Sequence, residues 1–129
     1  MAETTVPSPP ALGHLRVSLD GRTSIGPGKA NLLEAIGETG SIAAAGRRLK
    51  MSYKRAWSLV DDLNAAFREP LVASSRGGSA GGGAVLTPAG ERVLAAYRAM
   101  QAAAERAIAQ EAADLRGLLA DPTQSDVSK

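Results

Sequence analysis

The sequence contains no cysteine and a single histidine, His14. Disulfide staples and thiolate metal sites are therefore excluded, and nothing marks an oxidising, secreted setting. Without cysteine and with one histidine, a metal centre has to be built from carboxylates, and these do not cluster along the chain. No metal and no cofactor is expected. Aromatic residues make up 3% of the chain, so the core is built from Leu, Ile, Val and Ala, which suits helices better than sheets. A run of about 18 apolar residues, as a membrane span needs, is missing. The segment Met1–Leu12 is proline-rich, carries Glu3 and lacks the basic-then-apolar plan of a signal peptide. These absences lead to the expectation of a cytoplasmic protein with no membrane partner.

What is present fits one domain. The chain has 129 residues, 44% hydrophobic and 22% charged, enough for one modest core. The formal net charge is only +2, but its distribution is uneven. Between Ser41 and Val60 lie Arg47, Arg48, Lys50, Lys54 and Arg55 with no acid among them, and acids return at Asp61 and Asp62. Such a basic segment is the footprint of a phosphate-contacting surface, or else a solvated helix face.

Leu15–Leu19 alternates apolar and polar residues, the period of a half-buried strand, and Asp20-Gly21 turns the chain. Pro27 opens a helix predicted over Pro27–Thr39, with Leu32, Leu33 and Ile36 as its apolar stripe and Gly37 and Gly40 at its end. Ser41 has the chemistry of an N-cap for a second helix, Ile42–Leu49. Lys50-Met51 makes a tight turn, and Ser52 caps a third helix reaching about Phe67. Its stripe is Ala56, Leu59, Val60, Leu63, Ala66 and Phe67. Pro70 breaks this helix. Leu71–Ser74 and Ala84–Leu86 read as strands flanking the glycine-dense Ser75–Gly83, a β-hairpin. Thr87-Pro88 then starts a helix predicted to reach Leu119.

The fold class expected is mainly α: a winged helix-turn-helix with a small β-hairpin wing and a long C-terminal dimerisation helix. Residues 1–11 are expected to be a disordered lead-in, 12–86 the DNA-binding domain, 87–119 the long helix and 120–129 a disordered tail. Along the long helix Val93, Tyr97, Met100, Ala104 and Ile108, continued by Ala112, Leu115 and Leu119, approximate a coiled-coil seam. A stripe this long exceeds what so small a domain buries, so a homodimer is expected.

The candidate DNA-binding residues follow from this layout. The third helix is basic only at its start, where Ser52, Tyr53, Lys54, Arg55 and Ser58 would face the major groove of double-stranded DNA. Trp57 either packs under the wing or braces the helix at the DNA backbone, and packing is the favoured role, since a bulky ring in a small core usually serves burial. Arg47 and Arg48 either touch phosphates or complement the helix dipole. Ser41 is a phosphate contact or a simple N-cap. In the glycine-rich loop, Arg76, Gly77 and Gly78 suit a wing tip that approaches DNA closely. A P-loop is excluded there because the Gly-Lys-Ser/Thr ending is missing, and a single Arg gives little of the attraction of an RGG-type RNA segment. Catalytic residues are not expected: His14 has no nucleophile at informative spacing, Asp61 and Asp62 diverge, and Glu34 and Glu38 suit a solvated face.

The runs Gly40-Ser-Ile-Ala-Ala-Ala, Met51-Ser-Tyr-Lys-Arg-Ala-Trp57 and Gly77-Gly-Ser-Ala-Gly-Gly-Gly-Ala-Val-Leu-Thr-Pro-Ala-Gly90 resemble the N-terminal domain of the molybdate-responsive regulator ModE and, more loosely, LysR-type DNA-binding domains. The likeness covers about Leu15 to Ile108. It implies a winged helix that dimerises through its long helix and binds a palindromic operator, with Ser52, Tyr53, Lys54 and Arg55 on the DNA. It departs from the family pattern at Ser79 and Ala80, where related wings carry a lysine. The family's oxyanion-binding modules have no counterpart here, so molybdate sensing is not expected of this chain. The expectation is a transcription regulator linked to molybdenum metabolism; the alternative is an interaction module that pairs with another regulator and has little DNA preference of its own.

Overall fold

Pro27 and Gly40 bracket the first helix, and their chemistry explains both ends. A computed structural model of the chain describes residues 11–75 and 83–120. Helix α1 spans Pro27–Thr39, with Pro27 in its first turn, where a missing N–H costs nothing. It stops at Gly40, which adopts φ 74° and donates its N–H to the Ile36 carbonyl at 2.8 Å. Glycine reaches this left-handed conformation without a Cβ penalty.

Helix α2 covers Ile42–Arg48 and α3 covers Tyr53–Ala66. Two short antiparallel pairs complete the domain. Strand β1 (Val17–Ser18) pairs with β2 (Ser24–Ile25), and β3 (Val72–Ser75) with β4 (Gly83–Leu86). The long helix α4 spans Pro88–Arg116. This is a mainly helical winged helix-turn-helix with a β3–β4 wing. The expected strand Leu15–Leu19 is shorter than its pattern, and β2 was not anticipated. Asp20 explains the turn between them: its carboxylate accepts the backbone N–H groups of Arg22 at 2.8 Å and Thr23 at 2.6 Å. These two donors stabilise the ionised form and hold the Asp20 carboxyl below its ordinary pKa.

The chain divides into two compact units. One is His14–Met100; the other comprises, among the described residues, 11–13 and 101–120. The first unit holds two packed clusters. One is centred on Leu32, Leu33, Ile36, Leu63 and Leu71. The second gathers Ile25 and Ala30 around Tyr97. Tyr97 is fully buried, and its O–H donates to the Leu15 carbonyl at 2.6 Å. Burial pushes this phenol above its ordinary pKa, partly opposed by the adjacent Arg98 charge.

Tyr97 therefore corrects one expectation. The residue placed on a dimer seam is taken up by the core of its own domain. Val93 and Met100 also pack partly against that core. In the second unit Ala104 and Ile108 are half-buried, and Leu115, Leu118 and Leu119 are exposed. Glu105 accepts the backbone N–H groups of Ala11 and of Leu12, the latter at 2.8 Å. Ala11, expected in the disordered lead-in, is thus tied to α4; the rest of that lead-in, and residues 121–129, lie outside the described residues.

Candidate nucleic-acid interface

The turn between α2 and α3 sets the geometry of the interface. Leu49 caps α2, Lys50 takes φ 61° and Met51 folds back to donate its N–H to the Gly46 carbonyl at 2.8 Å. The Lys50 N–H donates to the Arg47 carbonyl at 3.1 Å. The pair of bonds is a Schellman closure, which satisfies two carbonyls at the helix end and reverses the chain within three residues. Gly46 allows the two helices to close on each other: a Cβ placed there would lie 3.0 Å from the Ala56 Cβ.

Serine side chains start both helices. The Ser41 hydroxyl accepts the Ala44 N–H at 3.0 Å, and the Ser52 hydroxyl accepts the Arg55 N–H at 3.0 Å. Ser41 thus serves as the N-cap that its position suggested. The Ser52 oxygen is likewise engaged in capping, while its proton stays available to an outside acceptor.

Ala56, Leu59, Val60 and Leu63 turn inward, leaving Tyr53, Lys54, Arg55 and Ser58 exposed at the start of α3. Ala66, assigned to the apolar stripe, is exposed because the helix ends there. Arg47, Lys50, Lys54 and Arg55 are exposed and have no acidic partner among the described residues. Arg48 differs, because its guanidinium pairs with Glu38 of α1. A basic surface therefore runs from the end of α2 into the first turn of α3, ion-paired among the described residues at Arg48 alone.

The wing is held by a residue that sequence reasoning missed. Asn64 of α3 accepts the N–H groups of Leu71 at 2.8 Å and Val72 at 3.0 Å, and donates to the Val72 carbonyl at 3.1 Å. It fixes the start of β3 against the recognition helix. On the other side, the Ala84 N–H of β4 donates to the Gly40 carbonyl at 2.9 Å. The wing is thus anchored to both α3 and the end of α1. The proposed contacts Arg76, Gly77 and Gly78 lie outside the described residues.

Trp57 borders the wing but is not buried beneath it. It is 40% exposed, and its ring meets that of Tyr53 edge to face with centroids 6.1 Å apart. The two rings line a cleft of about 380 Å³ with Ser41, Val60 and the wing residues Val72 and Ser74. The described residues contain no group of three or more His, Asp or Glu placed to hold a metal ion. Among them no helix is long and apolar enough to cross a membrane.

The model of the bacterial regulatory helix-turn-helix proteins of the lysR family matches residues 29–91, from α1 through the wing to the start of α4. The chain carries a LysR-type helix-turn-helix domain. The domain is of the ModE type. It is 53% identical over 78 residues to the molybdenum-pterin-binding protein MopB of Rhodobacter capsulatus, covering 60% of this chain and 29% of that protein. It is 40% identical over 90 residues to the molybdenum transport protein ModE of Azotobacter vinelandii, covering 70% and 33%. With the DNA-binding transcriptional dual regulator ModE of Escherichia coli K12 it shares 35% identity over 83 residues, covering 64% and 32%. The chain thus spans about a third of the length of these relatives. Their names are those of regulators and of binding or transport proteins, in agreement with the absence of a catalytic constellation from the sequence reading.

Proposed function

We propose that the chain is a sequence-specific DNA-binding transcription regulator that binds a palindromic operator as a homodimer in the cytoplasm, with target genes in molybdenum metabolism. The observation that carries this reading is the exposed, acid-free start of α3, with Lys54 and Arg55 beside the anchored wing. Inserted in the major groove, that turn brings two cations and two hydroxyl groups to base edges and phosphates. The homodimer is supported by the exposed Leu115 and Leu119, which continue the three- and four-residue spacing of Ile108 and Ala112. With Tyr97 committed to its own core, we place the seam from Ala104 onward. A twofold pair would present its recognition helices about 34 Å apart, one helical turn of DNA. The molybdenum link rests on the names of the relatives.

Selection from random duplexes tests the proposal. A palindromic consensus, lost on Lys54→Ala or Arg55→Ala in a protein that still folds, is the expected result. Weak, salt-sensitive binding without any consensus would overturn it. Molybdate is expected to leave the melting temperature of this chain unchanged, since binding to the native state would raise it.

A further inference from the structure

The chain has one Trp, two Tyr and one Phe. Two of these four stand side by side on one flank of α3, at the cleft beside the wing. Tyr53 is 65% exposed and Trp57 is 40% exposed, while Tyr97 is buried and Phe67 half-buried. A chain so poor in aromatics leaves half of them partly in water at the start of its recognition helix. Exposed large apolar groups carry information when they cluster, since contiguous apolar surface marks a binding face.

The surroundings indicate what that face meets. Tyr53 and Trp57 lie four residues apart and therefore share one side of α3. Their rings contact edge to face, with an interplanar angle of 61°. Lys54 and Arg55 project from the same turn, exposed and without acidic partners among the described residues. The pair has unneutralised cations beside it at the start of α3, while Asp61 stands one turn further along in the same cleft. This polarity complements a polyanion that approaches the first turn of the helix and displays an apolar group. In the major groove the apolar group on a base edge is the C5-methyl of thymine.

We propose that Trp57 reads the C5-methyl of a thymine in each half-site, with Tyr53 as the positioning residue that braces its ring. This rests on the DNA-binding reading above and adds a base preference to it. Lys54 and Arg55 supply attraction and polar contacts; Trp57 supplies discrimination by a methyl group. The ring covers the methyl, removing both surfaces from water, and a cytosine or a demethylated thymine leaves part of the ring uncovered.

The test uses the full chain and the duplex enriched by selection. Thymines are replaced one position at a time by deoxyuridine, which removes the methyl and keeps every hydrogen-bonding group. The unaltered protein is expected to lose affinity about fourfold per half-site at one position and its symmetry mate, the effect of one methyl-sized apolar group. Trp57→Ala is expected to bind the thymine and uracil duplexes equally. Its folding is checked by far-ultraviolet circular dichroism, and Tyr53→Ala is expected to reduce the discrimination in part. Selected binding with no sensitivity to uracil at any position would overturn the inference while leaving the DNA-binding reading intact. Retained discrimination in Trp57→Ala would assign the methyl to another residue and also overturn it. Failure of the unaltered chain to select any duplex would overturn both.

Discussion

Gly90, in the first turn of α4, lies directly against the backbone of Leu71 at the start of the wing. A Cβ built on Gly90 would sit 2.1 Å from the Leu71 carbonyl oxygen. That same oxygen accepts the Thr87 N–H at 2.9 Å, and the Thr87 hydroxyl caps the helix by accepting the Gly90 N–H at 2.9 Å. The hydroxyl also donates to the Pro70 carbonyl at 2.7 Å. Thr87 and Gly90 together form the joint between wing and long helix.

Gly90→Ala is therefore expected to destabilise the chain, although alanine is the better helix former by about 1 kcal/mol. The clash is with backbone, which cannot rotate away, so strain exceeds the propensity gain and a net loss of about 1–3 kcal/mol is expected. Thermal melts followed by circular dichroism check this. A melting temperature at or above that of the unaltered protein would show that the helix start shifts freely.

Asn64→Ala is expected to loosen the wing without unfolding α3. The side chain satisfies the Leu71 and Val72 N–H groups, and both residues are buried. Leaving a buried donor without a partner costs about 1–3 kcal/mol. Faster amide hydrogen exchange at Leu71 and Val72, with α1 and α2 amides little changed, is the expected pattern. Uniform acceleration across the domain would mean that Asn64 supports the whole core rather than the wing.

Much of the scaffold was legible in the sequence, for reasons these residues make plain. Pro27 and Gly40 bound α1 by their own backbone preferences, and the apolar spacing from Ala56 to Leu63 marks the inner face of α3. Local chemistry of this kind survives any tertiary setting. What stayed hidden depends on neighbours that folding supplies. Asn64 gains its role only when Pro70 turns the chain back alongside α3. Gly46 and Gly90 matter because another backbone or side chain arrives within reach. Tyr97 belongs to an apolar stripe, and periodicity does not say whether the covering surface is the same chain or a second one. Strand β2 is two residues long, too short to show a period. Trp57 reads as a packed residue because large rings usually are, and it does border the wing, but the cleft there leaves it partly exposed.

Lys50 separates stability from binding. Its φ of 61° places a β-carbon-bearing residue in the left-handed region, at a cost of about 1–2 kcal/mol. Lys50→Gly is expected to raise the melting temperature, because glycine adopts this conformation freely. It also removes one of the cations from the basic surface, so affinity for DNA is expected to fall as stability rises. A fluorescence titration beside a thermal melt reads both. A fall in stability would show that the lysine side chain contributes more than its backbone costs.

Tyr97 is expected to contribute to a loss of stability at alkaline pH. Its phenol has a raised pKa in the folded chain, so the folded state holds the proton more tightly than the unfolded state. The stabilisation is present in full below the unfolded value of about 10 and is lost as pH rises through the folded value. Tyr97→Phe removes the 2.6 Å bond to the Leu15 carbonyl, with an expected loss of about 1 kcal/mol at neutral pH. It should also flatten the fall in melting temperature above about pH 10. Two pH series of melts, with and without the hydroxyl, isolate this from the titration of lysines, which both proteins share. Parallel curves would place the alkaline transition elsewhere.

Arg47 and Arg48 are neighbours at the end of α2, but their surroundings differ, and salt dependence should tell them apart. Arg48 is paired with Glu38, both groups being about half exposed at 48% and 56%; Arg47 has no acidic partner among the described residues. An exposed pair adds little to stability, about 0–1 kcal/mol, but it partly neutralises the charge that a phosphate would meet. Each phosphate neutralised by the protein contributes about −0.9 to the slope of log affinity against log salt. Arg47→Ala is expected to reduce that slope by about 1 for each protomer bound, and Arg48→Ala by clearly less. Glu38→Gln is the informative third variant: by releasing Arg48 it should steepen the slope and tighten binding at low salt. If Glu38→Gln changes neither, Arg48 is remote from the DNA backbone, and the interface begins at Arg47 and runs through Lys54 and Arg55.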